Sequence, residues 1–181
     1  MRRKEREVSE PSKILEIMEK CTICNLAFND GEYPYVVPVN FGYRNTPQGV
    51  ELYFHGATEG KKIDLIKKDG KAAFTMHCGH RIVIGNTICG STREYESVCG
   101  TGKAEILMHD KEKELGLRLI VAHLGDDRQD DFDASRFARI AVCRLTVQQM
   151  CGKVSTRATS VEAKQEAKSY SVEVGSPVKV S

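Results

Sequence analysis

Apolar and polar residues alternate along much of this chain, which predicts a protein built mainly from β-strands. Strands are predicted at residues 22–28, 33–43, 50–55, 71–77, 81–84, 95–108 and 139–147. Their hairpin order, with helices inserted between them, favours an antiparallel barrel over a parallel sheet. We therefore predict a mainly β (β+α) fold, an antiparallel barrel with a few flanking helices.

Helical spacing of apolar residues predicts where those helices lie. The first begins at Pro11 and runs through residue 20, with Ile14 and Met18 on its apolar face. The second covers residues 60–68 and stops at Asp69-Gly70, and the third covers residues 111–124.

Pro38 interrupts the alternation of the strand predicted at 33–43. One face of this strand carries the apolar residues Tyr35, Val37, Val39 and Phe41. Pro38 lies on the other face and has no N–H to give to a strand ladder. It therefore marks an edge strand, a bulge or a ligand-facing break.

Composition and charge narrow the class of protein. A chain of 181 residues forms one domain large enough to bury a core, here residues 1–153. The net charge is +2, with both signs intermixed, so we expect no nucleic-acid partner. No apolar run is long enough to cross a bilayer, and we expect a cytoplasmic protein without a membrane partner. Large apolar residues thin out over 154–181, which predicts a weakly ordered or partner-clasping tail.

The chain has seven cysteines, an odd number for a secreted disulfide framework. Reduced, mostly buried thiols in a cytosolic protein account for them best. The alternative is a zinc site at Cys21-x-x-Cys24, completed by Cys78 and His80. That pair falls at a predicted helix-to-strand transition, and Cys78-x-His80 has poor spacing for a zinc knuckle. We therefore predict no metal site.

A candidate anion site follows the strand that ends at His55. The next helix begins at Gly60, Lys61 and Lys62, where free amides, the positive dipole end and lysine charge converge on a phosphate. The alternative is that both lysines only form the exposed face of an amphipathic helix. Gly100-x-Gly102 lacks the third glycine of a dinucleotide fingerprint. The acidic loop at 126–133 lacks the glycine and glutamate of a calcium-binding loop.

Three motifs resemble the flavin-binding split-barrel proteins related to pyridoxamine phosphate oxidase. They are VPVNFGY at 37–43, LYFHGATEGKKIDLI at 52–66 and YESVCGTGKAE at 95–105. Within that family the chain is most similar to the nitroimidazole-resistance (Nim) group, over about residues 2–153. The resemblance implies a split β-barrel and a homodimer that holds flavin mononucleotide (FMN), with FAD as the alternative, at the subunit interface.

The resemblance also implies roles for individual residues. Lys61 takes the place of the basic residue on the flavin phosphate, and Lys62 lies beside it. Ser97 takes the place of a small polar contact that often comes from the second subunit. His55 lies where Nim-like proteins carry a histidine near flavin and substrate, and we expect it to act catalytically by delivering a proton. The predicted cofactor-binding residues are Val37, Pro38, Val39, Asn40, Phe54, His55, Gly56, Ala57, Gly60, Lys61, Lys62, Tyr95 and Ser97.

The implied function is that of an FMN-binding flavoprotein, a reductase of nitroimidazole-like or other small oxidised substrates. The rival is a non-catalytic flavin- or haem-binding protein of the same fold. Two departures from the oxidases count against vitamin oxidation: Gly60 replaces a basic residue, and the chain has no Trp for their substrate-binding motif. A dimer is also expected because the apolar positions Val36, Val98 and Ala104, together with the polar Ser97, are too numerous for one core face.

Overall fold

Eight strands and three α-helices form the described part of the chain, residues 4–126 and 139–155 of a computed structural model. The strands are β1 (Glu7–Val8), β2 (Cys24–Asp30), β3 (Tyr33–Val39), β4 (Gly42–Thr46), β5 (Gly49–Gly56), β6 (Lys71–Val83), β7 (Thr92–Ile106) and β8 (Ala141–Ser155). The helices are α1 (Pro11–Lys20), α2 (Lys61–Lys68) and α3 (Asp110–His123).

All strand pairs in the described ranges are antiparallel, and they form one sheet in the order β3-β2-β6-β7-β8-β5-β4, with β1 added beside β8. Within the described residues the two end strands, β3 and β4, are joined by the linker Asn40–Phe41 and not by a ladder. The sheet therefore forms an open, split barrel, and the predicted mainly β class is confirmed. Pro38 lies on β3, which is an edge strand, the first of the three settings that its missing N–H predicted.

The barrel interior is filled by the inward-facing residues of the strands and by one face of α1. Leu26, Met76 and Val98 are fully buried on neighbouring strands. From α1, Ile14, Ile17 and Met18 close one end of this core. The helix begins with Pro11, whose fixed φ suits a first turn.

A second, smaller core lies between α3 and the outer side of β5 and β8. Leu117 and Ile120 of α3 pack with Tyr53 and Val142. The helix approaches β4 so closely that a Cβ at Gly42 would lie 2.3 Å from the backbone carbon of Leu119. Glycine at position 42 is therefore required by the packing of α3 on the sheet.

Three predicted strand boundaries were wrong. The 33–43 strand breaks at Asn40–Phe41 and resumes as β4, because the chain passes from one edge of the sheet to the other. Strands 71–77 and 81–84 are one strand, β6, with a register shift between Gly79 and Ile82. The last strand continues past residue 147 to Ser155.

The alternation along β7 also corrects part of our argument for a dimer. Val98 and Ala104 are both in the core, with 0% and 2% of their surface exposed. Val36, in contrast, is 57% exposed on the outer face of β3. Of the three apolar positions, only Val36 therefore remains free to contact a partner.

Two further predictions lie largely outside the described residues: the acidic loop beyond Asp126, and the tail beyond Ser155. None of the helices in the described ranges is long and apolar enough to cross a membrane.

Candidate functional site

His55 and Lys62 form a corner where β5 ends and α2 begins. The Lys62 ammonium donates a hydrogen bond to the His55 carbonyl oxygen at 3.3 Å and lies 5.5 Å from the centre of the buried Phe54 ring. A Cβ at Gly56 would lie 2.8 Å from Lys62 Nζ, so this glycine leaves room for the ammonium. The structure therefore brings together four of the predicted site residues.

Desolvation changes the titration of both side chains at this corner, and the Lys62 charge also acts on His55. His55 is exposed by surface area, but the protein atoms packed around it partly desolvate its ring and lower its pKa, and the Lys62 charge lowers that pKa further. Burial also lowers the pKa of Lys62, against the opposing influence of Cys143. A neutral imidazole thus lies next to a cation at neutral pH, which is an arrangement suited to an anionic or electron-rich ligand.

The start of α2 presents backbone amides and a second lysine. Gly60 precedes the helix with φ +111°, and none of the described side chains caps this end. Lys61 forms an ion pair with Asp30 at the end of β2, with Nζ and Oδ2 2.7 Å apart. The basic residue of the oxidases would be strained at position 60, because only glycine adopts this φ readily. To bind a phosphate, Lys61 must therefore release the Asp30 carboxylate.

The segment Val37–Asn40 lies at the opposite side of the split, at the end of the edge strand β3. Val39 faces the core, whereas Pro38 and Asn40 are exposed. The exposed loop residue Ala57 follows β5. Because Asn40 begins the linker from β3 to β4, and β4 pairs with β5, this segment and the His55 corner border the same opening.

Ser97 and Tyr95 form a separate group on the outer face of β7. Ser97 pairs with Lys153 of β8, and the Lys153 ammonium donates a hydrogen bond to the Tyr95 hydroxyl. We missed Lys153 as a site residue because the predicted final strand stopped at 147. If the alternation had been followed through Met150, Gly152 and Val154, the strand would have included Lys153 and placed it beside Ser97.

Val39 and Val98 are on one cross-strand row, separated by Cys24 and Met76 on the two intervening strands. Three strand spacings of about 4.8 Å place the end of β3 and the Ser97 group ~14 Å apart across the sheet. Within one chain, these two sets of predicted site residues therefore stand well apart.

Small, uncharged residues cover the outer face of the sheet between these two groups. These residues are cross-strand neighbours on β3, β2, β6, β7 and β8: Asn25, Ala27, Val36, Ala73, Thr75, Cys99, Thr101 and Gln149. Ala73, Thr75 and Cys99 are exposed. A face of this kind resembles the charge-depleted centre of a protein interface more than an ordinary solvated sheet.

A cavity of about 490 Å³ lies at the other end of α2, between Ile66–Asp69 and β7. Lys67, Lys68 and Lys103 line it. It is next to the C-terminal end of the helix, where the dipole disfavours anions, so it is not the predicted phosphate position.

The fold and this arrangement define an antiparallel split-barrel protein with a cationic helix start beside its opening. The family model for pyridoxamine 5'-phosphate oxidase matches residues 10–154. The chain therefore belongs to the pyridoxamine 5'-phosphate oxidase family, as its motifs predicted. The comparison with curated proteins gave no match.

Solved structures support the same assignment. The chain is 30% identical to a candidate 5-nitroimidazole antibiotic resistance protein from Bacteroides thetaiotaomicron, with a TM-score of 0.71, covering 82% of this chain and 86% of that one. The flavocytochrome Anf3 from Azotobacter vinelandii is 18% identical, with a TM-score of 0.74 over 98% and 86% of the two chains. A FAD- and haem-binding protein from Mycobacterium smegmatis is 14% identical, with a TM-score of 0.72 over 97% and 89%.

Proposed function

We propose that this protein is an FMN-binding flavoprotein, a homodimer that reduces nitroimidazole-like or other small oxidised compounds. The observation that carries the proposal is the corner of His55 and Lys62 beside the uncapped start of α2. Family membership and the likeness to the candidate nitroimidazole-resistance protein support it.

The residues at the opening fit a phosphorylated, planar cofactor. Backbone amides at the start of α2, with Lys61 and Lys62, would bind the phosphate. The exposed residues Pro38 and Asn40 would border the ring system on the other side of the opening. FMN supplies hydride chemistry when bound. His55 would take up a proton from solvent and pass it to the reduced group of the substrate, since a lowered pKa makes its imidazolium a stronger acid.

A second copy of the chain completes this site in the proposal. Ser97, Tyr95 and Lys153 lie ~14 Å from the end of β3 in the same chain, a distance of three strand spacings. They would instead contact the flavin of the partner subunit. The small, uncharged outer face of the sheet supplies the surface on which the two copies would pack.

The purified protein tests the cofactor assignment directly. We expect a yellow protein with a flavin spectrum, and mass spectrometry of the released cofactor should identify FMN. Reduced nicotinamide should bleach the spectrum, and a nitroimidazole should restore it under anaerobic conditions. His55→Gln should retain flavin but reoxidise more slowly with the nitroimidazole, whereas His109→Gln, an exposed histidine before α3, should behave as wild type.

The rival function is flavin or haem binding without turnover. Two of the structural relatives, the flavocytochrome and the FAD- and haem-binding protein, make haem a specific alternative. A Soret band on stoichiometric addition of haem, without flavin in the purified protein, would favour this rival and rule out the reductase.

A further inference from the structure

Three metal-binding side chains meet on the face of β6 and β7 opposite the Ser97 group. Cys78 of β6 and Glu96 of β7 are direct cross-strand partners, so their side chains share one face. His80 follows two residues after Cys78, where the register of the ladder shifts between Gly79 and Ile82. The topology thus joins residues that are 16 and 18 positions apart in the chain.

Two of the three separations between the ligand atoms are close to those of a tetrahedral zinc site. His80 Nε2 lies 3.2 Å from Glu96 Oε2, and Cys78 Sγ lies 3.8 Å from the same oxygen. All three ligand atoms lie within 4.8 Å of one another. Bonds of ~2.0–2.3 Å from a tetrahedral zinc ion place its nitrogen, oxygen and sulfur ligands about 3.3–3.6 Å apart. Two of the three separations therefore need only small adjustments.

A second thiol and a competing ammonium lie beside the cluster. The buried Cys21 thiol, directly after α1, is near enough to Cys78 to interact with it electrostatically. Lys20 Nζ lies 2.8 Å from Glu96 Oε2, but the Lys20 side chain is 51% exposed and can turn into water.

We propose that Cys78, His80 and Glu96 bind one zinc ion, with the free thiol of Cys21 as a candidate fourth ligand. A thiolate and an imidazole select zinc over calcium or magnesium, which prefer all-oxygen sites. The ion would replace Lys20 on Glu96 and connect the end of α1 to the β6–β7 hairpin. Our expectation of no metal site considered Cys78 and His80 with Cys21 and Cys24, and missed Glu96. Cys24 is buried in the core.

Titration of the tag-free full-length protein with Co²⁺ and then Zn²⁺ tests this site. We expect one equivalent of Co²⁺ to produce a thiolate-to-cobalt charge-transfer band, which one equivalent of Zn²⁺ removes. Cys78→Ser and His80→Gln should each weaken Zn²⁺ binding by at least ~10-fold, the lower end of what loss of even an outer-shell partner costs. The matched controls, Cys99→Ser and His77→Gln on the same two strands, should bind as wild type.

Lys20→Met provides a second test that leaves all ligands in place. Removing the competing ammonium should tighten Zn²⁺ binding. The control is Lys13→Met, also on α1, which removes an ion pair with Glu10 and should leave Zn²⁺ binding unchanged. The proposal would be overturned if the protein bound no stoichiometric Zn²⁺, or if Cys78→Ser and His80→Gln bound it as tightly as wild type. Equal Zn²⁺ affinity of Lys20→Met and Lys13→Met would also overturn it.

Discussion

At the level of single residues, desolvation and the Lys62 charge act together on the titration of His55. Lys62 is partly buried and His55 is exposed, and two positive charges at this corner would repel each other. The pKa of His55 is lowered first by desolvation and then by the Lys62 charge. The sequence placed both residues at the end of a strand and the start of a helix, but it could not show this coupling.

We expect NMR titration to give His55 a pKa below the ordinary value of 6.5. Lys62→Met should raise this pKa, because it removes the neighbouring cation, while Lys67→Met in the last turn of α2 should leave it unchanged. The unfolded chain takes up the proton more readily than the folded one, so His55 costs stability as pH falls through 6.5. His55→Gln should therefore flatten the acid limb of the pH–stability curve. A His55 pKa above 6.5 would contradict this account.

In the proposed site Asp30 would compete with the flavin phosphate for Lys61, because the Asp30 and Lys61 side chains form an ion pair at 2.7 Å. Exposed pairs of this kind are worth ~0.2–1 kcal/mol. We therefore expect Asp30→Asn to tighten FMN binding by up to about 5-fold. Lys61→Ala should weaken FMN binding by ~1.5–3 kcal/mol, the contribution of a charge-assisted hydrogen bond.

Comparison with riboflavin, which lacks the phosphate, isolates this effect in fluorescence titrations. Asp30→Asn and Lys61→Ala should leave the affinity for riboflavin unchanged. The control Lys67→Ala should change neither the affinity for FMN nor that for riboflavin. Equal changes with FMN and riboflavin would show that Lys61 does not contact the phosphate.

At the level of elements, the sequence predicted whether a segment is a helix or a strand better than it predicted where each segment begins and ends. The first helix was predicted over its full extent, because Pro11 and the apolar spacing of α1 mark both ends. The end of β8 was missed because Gln148, Gln149 and Lys153 conceal its alternation. The break after Val39 was missed because Phe41 is as buried as an inward strand residue, although it belongs to the linker.

Gly42 tests the packing of α3 against the sheet. Its added Cβ would lie 2.3 Å from the Leu119 carbonyl carbon and 2.4 Å from the oxygen, both backbone atoms that cannot turn aside. Gly42→Ala should therefore lower the free energy of unfolding by ~1–3 kcal/mol, the usual cost of overpacking. Asn45→Ala, an exposed position on the same strand, should stay within about 0.5 kcal/mol of wild type in denaturant titrations. Equal midpoints and slopes for Gly42→Ala and wild type would show that α3 can shift without cost.

At the level of the whole molecule, register explains what the sequence could not predict. Glu96 joins Cys78 and His80 only because β6 and β7 pair as they do, and Lys153 meets Tyr95 only because β8 is long. Local motifs predicted the His55 corner, since strand end and helix start are neighbours in the chain. The outer face of small residues is spread over five strands, so no single motif could reveal it.

The proposed homodimer predicts that flavin release and subunit dissociation occur together. Thr75 lies in the middle of the small, uncharged face, between Asn25 and Cys99 on the neighbouring strands. Thr75→Arg should give a folded monomer, because a guanidinium buried there would lack a partner. Thr146→Arg, an exposed position where β8 pairs with β5, should remain a dimer.

Analytical ultracentrifugation with detection at the flavin absorbance measures both properties in one experiment. Wild type and Thr146→Arg should sediment as flavin-bound dimers and lose flavin on dilution only as they dissociate. Thr75→Arg should sediment as a monomer without flavin, since a ring covered by one subunit leaves much of its apolar area in water. A wild-type monomer that carries stoichiometric flavin would refute the interface site. In that case Ser97 and Lys153 would have to serve some other ligand, because ~14 Å of sheet separates them from the Val37–Asn40 side of the opening.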